Sequence, residues 1–168
     1  MSTLSSESAL VGASPSDDDG IRPGEVAVAL PPAFDAGLYF IGRIRTPWAR
    51  REDCPKRGSE EGPICRLEID PRWEAALEGV GREARLQVLY FMDQARRDLV
   101  LQMPRRATAA SGTFALRSPV RPNPIASSVV LFVAREGMSI LVRGLDCIDG
   151  TPLVDLKPQY CTLAHDVT

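Results

Sequence analysis

A proline-rich segment, residues 114–125, constrains the fold of this chain more than any other part of its sequence. It reads FALRSPVRPNPI and holds three prolines, two arginines and one asparagine. Because proline fixes φ, lacks an N–H group and pushes the preceding residue toward extended geometry, the segment favours neither helix nor strand. The apolar run that follows, residues 125–133, predicts a buried strand. We therefore expect a stiff, anchored loop that presents two guanidinium groups and a carboxamide to carboxylates, phosphates or adenine edges.

Short strand-like runs separated by turn residues account for most of the remaining chain. Asp70 and Pro71 have the residue types of a helix N-cap and first helical position, so they predict one short helix that ends at Gly79. The pair Asp149-Gly150 predicts a hairpin turn. The predicted strands cover residues 38–45, 64–69, 85–93, 98–103, 112–117, 126–135, 138–145 and 152–156. The prediction is a mainly β protein, a closed or nearly closed antiparallel-rich β-barrel with one short helix and a disordered N-terminal tail.

The charge of the chain is distributed unevenly, although the formal net charge is only -2. Residues 1–36 are acidic and contain few large apolar side chains, which predicts a disordered tail. Within it, Glu25–Leu30 can form a short edge strand. The predicted barrel domain covers residues 37–161, and residues 162–168 form a C-terminal tail. Beyond residue 36 basic residues outnumber acidic ones and only Lys56 and Lys157 are lysines. The excess is small and almost entirely arginine, so it favours a local RNA-binding patch over broad nucleic-acid binding. For most of these arginines, the alternative that they are solvated surface charges paired with acidic residues stays open.

The cysteines and the histidine of this chain indicate the redox state of its thiols and whether it binds a metal. The four cysteines have no CxxC spacing and His165 is the only histidine, so we expect reduced thiols and no metal site. No apolar run reaches the length of a membrane span, and the N-terminus lacks the pattern of a signal peptide. A cytoplasmic protein without a membrane partner is the simplest prediction.

The segment from Gly79 to Ala84 fits the dinucleotide-binding pattern GxGxxG/A by its residues alone. That fingerprint requires a strand before it and a helix after it, whereas here the predicted helix precedes it and a β-rich run follows. We interpret it as the turn that ends the helix.

Three segments together resemble a known family. They are residues 41–47 (IGRIRTP), the RSPVRPNPI part of the proline-rich segment, and residues 144–158 (GLDCIDGTPLVDLKP). In this order they resemble the TsaA/YaeB-like (TrmO-type) family of S-adenosylmethionine-dependent tRNA methyltransferases. The resemblance runs from about Gly37 to Tyr160 and implies a β-barrel, S-adenosylmethionine as cofactor, tRNA as partner and a homodimer.

The resemblance implies that the cofactor lies against the proline-rich segment and the closing segment. Arg117 or Arg121 is our candidate to pair the cofactor's carboxylate. The residues that match the family's cofactor side are Phe114, Leu116, Arg117, Ser118, Arg121, Asn123, Ile125, Asp146, Asp149 and Leu153.

The implied acceptor is the exocyclic nitrogen of threonylcarbamoyladenosine next to the anticodon, a weak nucleophile that a nearby base would assist. Asp155 is the first candidate for that base and Lys157 for holding a substrate oxygen or phosphate; an Asp–Lys pair that ties down the last strand is equally consistent. Candidate substrate contacts are Arg45, Lys56, Arg57 and Tyr160.

Two departures from the family pattern keep other functions open. Arg85 stands where members commonly carry a histidine, and Arg57 stands in place of an amide residue. The alternatives are a cofactor-binding regulatory or interaction protein on the same barrel, and a methyltransferase for a different acceptor. The tandem Arg96-Arg97 is predicted to be a solvated turn between strands, with contact to an RNA backbone as the alternative.

Overall fold

The structure, a computed structural model, describes residues 20–159. Most of the predicted acidic tail, residues 1–19, and the C-terminal residues 160–168, including Tyr160, lie outside the described residues. The predicted domain boundaries therefore stay predictions. No helix within the described range is long and apolar enough to cross a bilayer.

Six antiparallel strands close into a barrel, as the sequence predicts. The barrel strands are β2 (Gly42–Arg45), β3 (Cys65–Ile69), β4 (Arg85–Phe91), β7 (Ile125–Glu136), β8 (Ser139–Arg143) and β9 (Pro152–Pro158). Around the barrel the order is β2-β3-β8-β7-β4-β9, and β9 pairs with β2 to complete the ring. The pairing of Gly42 with Leu153 closes it.

Alternating residues of these strands fill the barrel, because successive side chains on a strand point to opposite faces. On β4 the inward residues Leu86, Val88 and Tyr90 are at most 3% exposed, whereas Gln87 and Leu89 face outward and are half-buried. Val130, Ile140 and Val142 complete the interior from β7 and β8.

A second, smaller sheet packs beside the barrel and corrects one prediction. It contains β1 (Val26–Ala27), β5 (Leu99–Gln102) and β6 (Ser111–Gly112) in the order β1-β5-β6. The short strand expected near Glu25–Leu30 is thus present. The strand predicted over 112–117 is wrong beyond Gly112, because Thr113–Ala115 form a 3-10 turn.

The predicted helix is present as a 3-10 helix, Pro71–Leu77. The Asp70 carboxylate caps it by accepting a hydrogen bond from the Arg72 N–H at 3.0 Å. Gly79 and Gly81, both with positive φ, then lead into β4, so the glycine pattern is a turn with no helix after it.

The Asp149-Gly150 pair is a turn, but not the hairpin turn that was predicted. Thr151 N–H donates to the carbonyl of Ile148 at 3.3 Å, and Gly150 has φ of 79°. The turn joins β8 to β9, which are not neighbours in the barrel. Its partner is instead the end of β2, since Gly150 N–H donates to the Ile44 carbonyl at 2.8 Å.

Glu25 ties the start of the described chain to the small sheet and predicts a pH-dependent stability. Its side chain, 2% exposed, accepts hydrogen bonds from the Arg22 guanidinium at 2.5 Å and from the Met103 N–H at 3.1 Å. These contacts lower the pKa of Glu25 from 4.5 to about 2. The hydrogen bond from the Arg22 side chain is the largest cause, and backbone N–H donors add to it.

Glu25→Gln is therefore expected to lose about 1–3 kcal/mol of stability at neutral pH, because it removes the charge of a buried carboxylate that accepts from the half-exposed Arg22 guanidinium. A carboxyl whose folded pKa is depressed stabilises the fold above its unfolded pKa and loses that contribution as pH falls toward the folded pKa. The difference in urea midpoint between wild type and variant should thus shrink as pH falls from 5 toward 2. A difference that is independent of pH would contradict this assignment.

Candidate functional site

The proline-rich segment is held in shape by one of its own arginines. The Arg121 guanidinium donates to the backbone carbonyls of Ser118 at 2.9 Å, of Thr113 at 3.3 Å and of Leu116. These acceptors span the loop, so Arg121 fastens it internally. Arg121 is accordingly committed to the loop, and this structure does not present it as a carboxylate ligand.

Two residues outside the segment anchor the loop to its neighbours. Gln102 at the end of β5 is buried, and its amide donates to the Val120 carbonyl at 2.7 Å and to Thr113 Oγ1 at 2.8 Å. Arg97 donates to the Pro122 carbonyl at 2.6 Å and stacks over the ring of Phe34 at 4.8 Å. The prediction of a solvated turn is therefore wrong for Arg97, whereas Arg96 pairs with the nearby Asp98.

Arg117 is the arginine of this loop that stays available. Its side chain is exposed and makes no hydrogen bond or ion pair with any residue between 20 and 159. It lines a cavity of about 390 Å³, together with Leu116 and Ser118 of the same loop. Further lining residues come from distant parts of the chain: Arg22, Arg51, Gln102 and Arg105. We call this space the arginine cavity.

A second polar cluster lies where β8 leads out of the barrel. The Tyr90 hydroxyl donates to Asp146 Oδ1 at 3.0 Å and lies 2.9 Å from Ser128 Oγ. Burial raises the pKa of Tyr90 well above its usual range, so the hydroxyl stays a proton donor. Asp146 Oδ2 keeps its acceptor capacity, because no hydrogen bond within the described range engages that oxygen. The cluster therefore holds one half-buried carboxylate in a fixed orientation.

The segment from Cys54 to Gly58 crosses close to this cluster. A Cβ on Gly58 would lie 1.8 Å from the Gly144 carbonyl oxygen, so the two backbones are in direct contact. Burial and then the Asp146 carboxylate raise the pKa of the Cys54 thiol, which places that cysteine near Asp146. Lys56 and Arg57 are exposed on this segment, so predicted substrate contacts adjoin a predicted cofactor contact.

The candidate base lies on the outer face of the barrel. Asp155 pairs across the sheet with the outward residue Leu89, which in turn pairs with Ser127 of β7. One Asp155 oxygen contacts the Lys157 ammonium and the other accepts from the Leu156 N–H at 2.9 Å. Both predicted interpretations of the Asp–Lys pair survive, since the pair exists and remains partly exposed, at 43% for Asp155 and 55% for Lys157.

Several predicted residues take structural positions. Leu153 is 0% exposed in the barrel core, so its side chain supports the barrel and does not face a ligand. Asp149 accepts from the Thr46 N–H at 3.0 Å and lies 3.5 Å from the Arg45 guanidinium. Arg45 also pairs with Glu68 at 2.8 Å, so its charge is largely balanced.

The remaining predicted residues of the proline-rich segment are accessible. Phe114 is 85% exposed and Ile125 is 38% exposed. Asn123 accepts from Arg97 at 3.4 Å. Sequence reasoning missed Tyr90, Ser128 and Gln102, because each looks like an ordinary strand residue until the barrel brings its partners together.

Comparison with known proteins agrees with this architecture. A family model described as the tRNA-methyltransferase O N-terminal domain matches residues 43–164. VirR of Rhizobium radiobacter, a probable S-adenosyl-L-methionine-binding protein, is 54% identical over 139 residues, which are 83% of this chain and 79% of VirR. The mouse tRNA (adenine(37)-N6)-methyltransferase is 43% identical over 153 residues, covering 82% of this chain and 36% of the mouse protein.

Solved structures show the same fold. The crystal structure of TrmO from Pseudomonas aeruginosa matches with a TM-score of 0.62 and 26% identity, over 80% of this chain and 62% of that chain. This chain thus spans less than two thirds of the solved TrmO chain. The matched family model covers more than half of the sequence and includes all of the barrel strands except Gly42, the first residue of β2. The chain therefore belongs to the TrmO family.

Proposed function

We propose that this protein uses S-adenosylmethionine to methylate the exocyclic N6 nitrogen of threonylcarbamoyladenosine next to the anticodon of tRNA. The observation that supports the proposal is that several side chains hold the proline-rich segment in place while one arginine of the segment stays exposed. Arg121, Gln102 and Arg97 immobilise the loop, and Arg117 is left on it as an exposed guanidinium with no hydrogen-bond or ion-pair partner among residues 20–159. A rigid loop with one free arginine suits a small ligand that carries a carboxylate.

The residues present fit the chemical groups of S-adenosylmethionine. Arg117 would pair the carboxylate, and Asp146 would accept a hydrogen bond from the ammonium group or a ribose hydroxyl through its open oxygen. The fold offers no glycine-rich phosphate loop, and this cofactor has no phosphate that would need one. When bound, S-adenosylmethionine supplies a methyl group on a positively charged sulfur.

The residues of the chain would then position the acceptor and take its proton. Asp155 already accepts two contacts, but a carboxylate has about four lone-pair sites, so it can still accept a proton from the acceptor nitrogen. Lys157 beside it would hold a substrate oxygen. Lys56 and Arg57 lie on the segment that crosses Gly144, where they would contact RNA phosphates near the cofactor.

A homodimer is part of this proposal. Apolar side chains stand exposed on the outer face of β7, where Ile125 is 38% and Val129 is 47% exposed, and at the proline-rich loop, where Phe114 is 85% exposed. A second copy would cover these side chains. Light scattering that gives the monomer mass at micromolar concentration would contradict the dimer.

Arg117→Ala is expected to weaken S-adenosylmethionine binding by about 10–100-fold, the effect of losing one charge-assisted hydrogen-bonded pair. Its melting temperature should match that of the wild type, because Arg117 has no partner to lose among the described residues. Isothermal titration measures the affinity. Arg82→Ala is the matched control, since Arg82 lies in the turn before β4, at the far end of that strand from the proline-rich loop.

Absence of binding to the wild type, or equal loss in both variants, would overturn the cofactor assignment. Mass spectrometry of tRNA that carries threonylcarbamoyladenosine, after incubation with protein and cofactor, tests the acceptor. A mass increase of one methyl group on that nucleoside would support the proposal.

A cofactor-binding protein without methyl transfer is the second candidate. Arg85, which stands in place of the family's histidine, is paired with Glu60 at 2.7 Å. VirR and a relative from Archaeoglobus fulgidus, 40% identical over 126 residues, are named as probable S-adenosyl-L-methionine-binding proteins. Tight cofactor binding with unmodified tRNA in the mass measurement would favour this candidate.

A further inference from the structure

Positive charge is concentrated in the arginine cavity. Arg22, Arg51, Arg105 and Arg117 all line it, and its lining among the described residues contains no aspartate or glutamate. These four residues come from four separate parts of the chain. Folding has therefore gathered like charges around one space of about 390 Å³, an arrangement that carries a repulsive cost unless an anion enters.

Most of this charge is unbalanced. Arg51, Arg105 and Arg117 make no side-chain hydrogen bond or ion pair with any residue in the range 20–159. The acidic residues nearest to Arg51 in the sequence are taken by its neighbour, because Arg50 lies 3.2 Å from Asp53 and 3.8 Å from Glu52. Of the four arginines, only Arg22 has an ion-pair partner within the described residues, the buried Glu25 carboxylate.

The amount and type of charge identify the class of ligand. A single carboxylate, such as that of the proposed cofactor, would neutralise one of the three guanidinium groups that have no partner in the described part of the chain. Consecutive phosphates of a nucleic-acid backbone would neutralise the others, and arginine forks bind phosphate oxygens bidentately. The Ser118 side chain at the rim adds a neutral hydroxyl that can donate to a phosphate oxygen.

We propose that the arginine cavity binds backbone phosphates of the tRNA substrate through Arg51 and Arg105, with Arg22 as a further contact. This inference rests on the proposed function and specifies how its substrate is held. Arg22 precedes residues 43–164, the part that matches the family domain. The segment before that domain would thus complete the RNA-binding surface of this protein.

A charge-matched pair of double variants tests the proposal. Arg51→Gln with Arg105→Gln removes two cavity arginines, whereas Arg82→Gln with Arg106→Gln removes two arginines that do not line the cavity and have no ion-pair partner among residues 20–159. All four positions are exposed, so folding should survive in both. Arg22 is retained because it holds Glu25, and Arg117 because it is assigned to the cofactor.

Fluorescence anisotropy with labelled tRNA over a range of salt concentrations gives the RNA readout, and titration with S-adenosylmethionine gives the cofactor readout. The cavity variant should bind tRNA about tenfold more weakly, with the slope of log K against log salt reduced by about 2. The control should change both quantities much less. Cofactor affinity should be unchanged in the two variants.

Equal weakening of tRNA binding by both variants would overturn the proposal, because it would reveal only a net-charge effect. Wild-type binding to S-adenosylmethionine but not to tRNA would also overturn it and leave the cofactor assignment standing. Loss of cofactor binding in the cavity variant alone would assign the cavity to the cofactor instead. A wild type that binds no S-adenosylmethionine would count against the proposed function, while the RNA readout would still test the cavity.

Discussion

Arg121→Ala is expected to weaken S-adenosylmethionine binding by more than tenfold and to lower stability by about 2 kcal/mol, the scale for losing hydrogen bonds from a charged donor. The variant leaves the carbonyls of Leu116 and Ser118 without this internal donor, while the Thr113 carbonyl keeps its bond from the Leu116 N–H at 3.1 Å. The proline-rich loop then samples other conformations, and binding must order it again. Urea denaturation measures the stability and isothermal titration the affinity.

Arg121→Lys separates charge from shape. Lysine keeps the positive charge, but its single ammonium group cannot reach three carbonyls with the geometry of the guanidinium fork. We expect this variant to lose most of the affinity that Arg121→Ala loses. Wild-type behaviour of Arg121→Lys would contradict the role of the fork. Lost affinity with unchanged stability in Arg121→Ala would show that Arg121 contacts the ligand itself.

Gly58→Ala is expected to lower stability by about 3 kcal/mol, at the upper end of the usual cost of overpacking. The added Cβ would lie 1.8 Å from the Gly144 carbonyl oxygen and 2.5 Å from its carbon, and both are backbone atoms that cannot rotate away. The segment from Cys54 to Gly58 must therefore move off Gly144. Because this segment carries Lys56 and Arg57 beside Asp146, methyl transfer to tRNA should fall together with the melting temperature.

Gly112→Ala is the matched control for this change. No heavy atom lies within 4 Å of a Cβ at Gly112, and its φ of -58° suits alanine. We expect it to be neutral or slightly stabilising, since alanine restricts the unfolded chain. A Gly58→Ala variant that melts at the same temperature as Gly112→Ala would show that the contact between the two backbones is not needed.

The strand prediction was successful because its signals are local. Alternation of apolar side chains, glycine and proline at turns, and the Asp70-Pro71 helix start each act over a few residues. The predicted strand over 112–117 was wrong where a local signal competed with a tertiary one. The side chain of Thr113 in this stretch is buried, and its hydroxyl bonds to Gln102 and, at 2.7 Å, to the Leu99 carbonyl. These two hydrogen bonds hold the chain in a 3-10 turn.

The role of each arginine was open from the sequence. Arg117 and Arg121 lie four positions apart in the same proline-rich segment, and both were candidates to pair a carboxylate. In the structure Arg121 donates to carbonyls of the bent loop, whereas Arg117 has no hydrogen-bond partner among residues 20–159. Leu153, a predicted ligand contact, became a core residue because barrel closure pairs it with Gly42.

The β-rich architecture, the stiffness of the proline-rich segment and the family could be predicted from the sequence, since residue types and short spacings carry all three. Which side chains are engaged by partners depends on tertiary contacts. The arginine cavity unites Arg22, Arg51, Arg105 and Arg117, and the Tyr90–Ser128–Asp146 cluster joins three distant positions. Burial and hydrogen-bond partners are properties of the folded barrel, because they depend on strand order and register between residues far apart in the chain.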